Sequence, residues 1–202
     1  MKKILIVALV LALCLGALAA AGCGDDTETA RSYMEKGDAL SKKMRTFSND
    51  AVFDAGALLA DLGIQISETG TVKAQTVTDA ANKQIDTIIA NGKKATTEYN
   101  KILDLKGVDV YQDYARQCIS AIESTTAVLE AVQGLLTEIG DPANKKSFKD
   151  TMTQWAKSNT RAAADAVTAF SSWSNAAKIK KDNNLGQVEE VVESSAPSSS
   201  PK

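Results

Sequence analysis

The chain has 202 residues, 44% of them hydrophobic and 24% charged, with a formal net charge of −2 and no histidine. So mild an acidic balance argues against nucleic acid as a partner. The missing histidine removes the commonest metal ligand, the usual haem ligand and the usual catalytic base near neutral pH.

The first 22 residues read as a leader. Met1, Lys2 and Lys3 precede an apolar run from Ile4 to Leu18, then come Ala19, Ala20, Ala21, Gly22 and Cys23. A basic start, an apolar stretch of about 15 residues and small residues before a cleavage point describe a secretory signal, too short for a comfortable membrane span. The small residues ending in Gly22-Cys23 resemble the lipobox of bacterial lipoproteins. That resemblance covers residues 1–23 only. It implies cleavage before Cys23, acylation of Cys23, and an extracytoplasmic protein anchored to the cell membrane. Cys14 is unsuited to that part, because Leu13 before it is too large. Two or three acyl chains on one cysteine hold a protein to a membrane firmly, where a single chain holds only marginally. In a host with an outer membrane, the family's sorting pattern implies that Gly24 permits export there. Removing Lys2 and Lys3 from the 23 basic residues leaves 21 against 25 acidic ones, a net charge of 21 − 25 = −4. Cys118 is then the one cysteine neither removed nor lipidated, so no internal disulfide is expected.

After a short tether, 23–27, the spacing predicts four long helices over 28–182, at about 28–63, 72–105, 110–139 and 143–181. The first carries its seam at Tyr33, Gly37, Leu40, Met44, Phe47, Ala51, Asp54 and Leu58, in alternating steps of three and four. Gly63 and the turn Ser67-Glu68-Thr69-Gly70 end it. The second seam is Thr78, Ala81, Ile85, Ile88, Gly92, Ala95, Tyr99 and Ile102, and Gly107 is placed as the C-terminal cap. The third runs through Tyr111, Ala115, Cys118, Ile122, Thr125, Leu129, Val132, Leu136 and Ile139, with Asp109 and Gln112 as a capping box. Gly140-Asp141-Pro142 separates it from the fourth, whose seam is Phe148, Met152, Trp155, Asn159, Ala162, Ala166, Ala169, Trp173 and Ala176. Segments of roughly 30 residues joined by short turns bury their stripes by packing antiparallel, so the fold expected is all-α, an up-down-up-down four-helix bundle. From Asn183 the apolar period is lost, and residues 183–202, rich in Ser and Pro, read as a disordered tail.

Antiparallel packing gathers Tyr33, Tyr99, Tyr111, Tyr114, Phe170 and Trp173 at the membrane-proximal end. Six of the ten aromatic residues there form a bulky core layer, an apolar pocket for a small ligand, or a surface that meets the lipid headgroups. Polar residues on the seams should pair across the core, Asp54 with Thr78 and Thr125 with Asn159, and fix helix register. Cys118 is expected buried and inert. Lys178, Lys180 and Lys181 are expected to serve the dipole at the end of the fourth helix, facing the headgroups.

No catalytic constellation, metal-ligand spacing or cofactor fingerprint is present, so no enzyme, metal or cofactor is expected. The chain reads as a lipid-anchored binding or scaffold module for another cell-envelope component. The alternative is a small-molecule binder, similar in architecture to the four-helix sensor domains of bacterial chemoreceptors, but lacking their second membrane segment and signalling region.

Overall fold

The computed structural model describes residues 26–51, 75–141, 143–144 and 146–186. They form five helices: α1 (Thr27–Ala51), α2 (Gln75–Leu103), α3 (Asp109–Gly140), α4 (Phe148–Ser158) and α5 (Thr160–Asp182). Among the described residues there is no strand, and no helix is long and apolar enough to cross a membrane. Residues 1–25, which include the expected leader and Cys23, as well as Asp54 and residues 187–202, lie outside the described residues.

The second and third seams are buried nearly as the spacing predicts. Every expected position of α2 from Thr78 to Ile102 is buried, as is α3 from Tyr111 to Leu136; Ile139 is half-buried. In α1 the expected Gly37, Met44 and Phe47 are buried, and the stripe widens by one position to Met34 and Ser41. Ala30, Met34, Ser41 and Met44 are fully enclosed, whereas Tyr33 and Leu40 sit half-buried at its edge. A core-facing helix buries a stripe wider than a two-position seam, and the larger side chains need not occupy its centre.

The contacts between helices run in opposing order. Along α1 and α2, Asp26 meets Lys106, Gly37 meets Tyr99 and Met44 meets Gly92. Along α2 and α3, Tyr99 meets Tyr114, Gly92 meets Ile122, Asp86 meets Gln133 and Thr78 meets Gly140. Lys180 then meets Tyr114, Ser172 meets Ser120, and the Trp155 indole donates to the Ala131 carbonyl at 2.9 Å. α5 packs along α3 and touches α1 at few points.

The segment expected as one fourth helix is two. Asn159 leaves the helix at φ −114° and ψ 41°, and both its backbone N–H and its side-chain amide donate to the Trp155 carbonyl, at 2.9 and 3.0 Å. An asparagine side chain that bonds the preceding turn competes with the helical ladder. α4 also starts later than Pro142 suggests, because Ser147 caps it: the Ser147 hydroxyl accepts from the Asp150 N–H at 3.1 Å.

Gln112 makes no capping box with Asp109. Val108 holds the N-cap of α3 without a side-chain bond, and the Gln112 amide instead donates to the Leu103 and Leu105 carbonyls at 3.1 and 2.8 Å, closing the end of α2. Gly107 lies in the following turn at φ 70°, four residues beyond α2. The last helix also carries a cap where a tail was expected. Asn184 takes φ 52°, the Leu185 N–H donates to the Lys180 carbonyl at 3.0 Å, and Leu185 is buried in the core. This is a Schellman arrangement with its hydrophobic contact.

Three mid-helix glycines separate packing from propensity. A Cβ at Gly37 would fall 2.6 Å from two ring carbons of Tyr99, one at Gly92 would meet the flexible end of Met44, and one at Gly134 would meet nothing within 4 Å. Chemical denaturation should show Gly134→Ala stabilised by up to about 1 kcal/mol. Gly37→Ala should instead be destabilised, by about 1–3 kcal/mol, with Gly92→Ala between the two.

Candidate functional site

The residue that organises the interior is Asp38, on α1. Its Oδ1 accepts from the Tyr114 hydroxyl at 2.5 Å, the Tyr99 hydroxyl at 2.8 Å and Arg45 Nη2 at 3.1 Å, and its Oδ2 accepts from Lys180 Nζ at 2.5 Å. Four elements thus converge on one carboxylate: α1 itself, α2 through Tyr99, α3 through Tyr114 and α5 through Lys180. Local geometry prepares the pair within α1, since Asp38 and Arg45 are seven residues apart, two helical turns on one face.

The remaining neighbours satisfy these groups in turn. The Ser41 hydroxyl lies 3.3 Å from the Tyr99 hydroxyl, and Arg45 Nη2 is 3.4 Å from that of Tyr114. The Arg45 guanidinium lies 4.7 Å from the centre of the Trp173 ring, so an aromatic face on α5 receives the cation. Tyr99 and Tyr114 meet edge to face, with ring centres 6.1 Å apart. One polar atom of the cluster, Arg45 Nε, is buried without a hydrogen-bond partner.

Burial pushes the Asp38 carboxyl upward, but the Arg45 charge, the bonds from Lys180 and Tyr114, and the Lys180 charge outweigh it and hold the group below its ordinary value of 3.8. Burial likewise works against the charge on Arg45, yet the adjacent Tyr114 and Asp38 raise its pKa above the usual arginine range. Tyr99 and Tyr114 are raised well above 10 by burial first and then by the neighbouring Cys118 and Asp38, so both remain protonated donors. Cys118, fully enclosed, is pushed up to about 12, chiefly by burial. One anion therefore faces two cations among neutral hydroxyls and a neutral thiol.

Of the aromatic residues expected at one end, the structure brings Tyr99, Tyr114 and Trp173 around this cluster. Tyr33 lies at the α1 edge under two cations, with Lys101 5.1 Å and Lys36 5.6 Å from its ring. Tyr111 is buried and shares the wall of a surface cleft with Arg31, and Phe170 is half-buried. Of the polar seam positions, Thr78 is buried against Gly140, the Thr125 hydroxyl donates to the Ala121 carbonyl at 2.7 Å, and Asn159 caps α4. Neither Asp38 nor Arg45 was singled out from the sequence, and Lys180 was expected at the helix-end dipole facing outward, where the structure instead turns it onto Asp38. Lys180 is 8% exposed and faces the core, whereas Lys178 and Lys181 remain exposed. The available signal was the i, i+7 spacing of an acid and an arginine beside Gly37 on an apolar stripe.

A second feature lies at the end of the helices where α1 begins. A cleft of about 460 Å³ opens there between α1, the α2–α3 turn and the cap of α5, with Thr27, Arg31, Asp109 and Tyr111 among its walls. Among the described residues no three His, Cys, Asp or Glu side chains gather as they would to hold a metal ion. No protein-family model matches this chain, and no curated protein or solved structure is significantly similar to it.

Removing the anion leaves two enclosed cations without their partner, a change that costs about 3–5 kcal/mol in buried ion pairs. Asp38→Asn should therefore lower the unfolding free energy by about 3 kcal/mol near neutral pH, while Tyr114→Phe, which deletes one hydrogen bond, costs about 1–2 kcal/mol. Because the Asp38 pKa is depressed on folding, its contribution is present above pH 3.8 and is lost as pH falls below that value. Denaturant midpoints at pH 7, 4 and 3 should show the gap between wild type and Asp38→Asn closing on acidification.

Cys118 should stay unmodified by iodoacetamide at pH 8 in the native protein and react fully in urea, with peptide mass spectrometry resolving it from Cys14 and Cys23.

Proposed function

We propose that this chain is a lipid-anchored extracytoplasmic protein whose helices form an up-down-up-down antiparallel four-helix bundle, α4 and α5 together supplying the fourth. It acts as a non-enzymatic binding or scaffold module for another component of the cell envelope. The observation that carries this reading is the sequence Ala21-Gly22-Cys23 followed, only four residues later, by the start of α1 at Thr27. Four residues of extended chain reach at most about 14 Å, so an acyl group on Cys23 holds that end of the helices against the bilayer. The opposing contact order of successive helices supports the bundle topology.

A small-molecule-binding bundle is the second reading, favoured by the cleft beside Thr27. It is an open feature of the helix ends, with one of the six sequence-expected aromatic residues, Tyr111, in its wall. Neither reading calls for a catalytic group.

The experiment is native mass spectrometry of the full-length protein, gently extracted from its own membranes, alongside Cys23→Ser. Expected are diacyl or triacyl mass on Cys23, its loss in the variant, and a co-extracted envelope protein. An unmodified Cys23 in a soluble, unanchored protein would overturn the anchor, and an acylated protein that returns no companion in repeated extractions would overturn the scaffold.

A further inference from the structure

The cleft at the start of α1 has a chemistry of its own. Its floor is apolar and enclosed: Val108 and Tyr111 from the start of α3 and Leu185 from the cap of α5 are 3, 6 and 5% exposed. Its rim carries two exposed charged side chains of opposite sign, Arg31 from α1 and Asp109 from the first turn of α3. The two are not paired with one another. Arg31 is held as a cation by Tyr111, Glu35 and Glu28, which raise its pKa, and no ion pair joins Asp109 to another described residue.

Opposite charges that share one cleft without neutralising each other fit a ligand with the complementary pair of charges. A guanidinium presents planar donors to a phosphate or carboxylate. A carboxylate at a helix start is an acceptor for ammonium donors while its own charge suits the local dipole. A pure anion would meet Asp109 as a like charge, and a pure cation would meet Arg31. The volume of about 460 Å³ lies within the range of small-molecule sites, about 300–1,000 Å³.

We infer that this cleft binds a phosphoethanolamine-type zwitterion, its phosphate held by Arg31 and its ammonium by Asp109. The same chemistry is offered by a soluble phosphoethanolamine and by the headgroup of phosphatidylethanolamine. Only the lipid source rests on the anchor proposed above, because it requires the start of α1 to lie against the bilayer.

The test is calorimetric titration of purified full-length protein with O-phosphoethanolamine, and with glycerol 3-phosphate as a probe that lacks the ammonium. Saturable binding of O-phosphoethanolamine is expected to weaken at least tenfold in both Arg31→Gln and Asp109→Asn. Glycerol 3-phosphate should bind more weakly to wild type, lose further affinity in Arg31→Gln and gain or hold affinity in Asp109→Asn. A structural role for Asp109 would not produce that reversal between ligands. Asp109→Glu, which keeps the charge at the helix start, should retain binding. No saturable binding of O-phosphoethanolamine in the millimolar range, or equal binding by wild type and both charge-removing variants, would overturn the inference.

Displacement of the solute by vesicles containing phosphatidylethanolamine, but not by vesicles of phosphatidylglycerol, would assign the lipid source. Retention of the solute against both would assign the soluble one. An unacylated Cys23 would remove the anchor and leave the solute titration as it is, so the two failures are distinguishable.

Discussion

The structure depends on one half-buried carboxylate. Asp38 accepts four donors from four elements, and each of those donors is itself held by a second contact: Tyr99 by Ser41, Tyr114 by Arg45, Arg45 by the Trp173 ring and Lys180 by the ring of Tyr114. A charge in a low-dielectric interior is unfavourable unless its partners are oriented and complete. Here the requirement acts as a lock. Sliding or rotating α1, α2, α3 or α5 by a residue would strip a donor from Asp38 and leave charge without its partner between the helices.

That lock matters most at the α1–α5 edge. α2 lies between α1 and α3 with continuous apolar packing, and α5 lies along α3, but α1 and α5 meet at few points. What joins them is Lys180 on Asp38 and Arg45 on Trp173. Apolar contacts are tolerant of small shifts, whereas a charge-assisted bond and a stacked guanidinium demand a particular geometry. The Schellman cap that follows Lys180 serves the same end of α5, because Leu185 enters the core and fixes the last turn from which Lys180 projects. The cleft beside Arg31 borrows its floor from that same residue, so the core lock and the surface feature share a wall.

Much of the helical architecture was legible in the chain. The seams of α2 and α3 appear in the structure at the positions where the three-and-four spacing puts them, because burial on a helix repeats with the helical period whatever the partner. The break at Asn159 was not legible, since the spacing runs through it without interruption and only the competing side-chain amide ends α4. Gln112 shows the same limit: its amide had two sets of backbone acceptors within reach, and the end of α2 took it in place of the start of α3. Leu185 was hidden because a helix cap is read from φ at Asn184, not from periodicity.

By itself the sequence determined an all-helical protein and the faces that its second and third helices bury, and its first 23 residues resemble a lipoprotein signal. These follow from local rules: periodicity, turn residues and a short apolar run. Tertiary structure alone decided that Asp38, one step from the seam residue Gly37, would be the centre of the interior, and that Lys180, one of three lysines at a helix end, would turn inward while its neighbours stayed exposed. The reason is that a charge is buried only where opposite charge and donors arrive together, and those arrive from residues 61, 76 and 142 positions away.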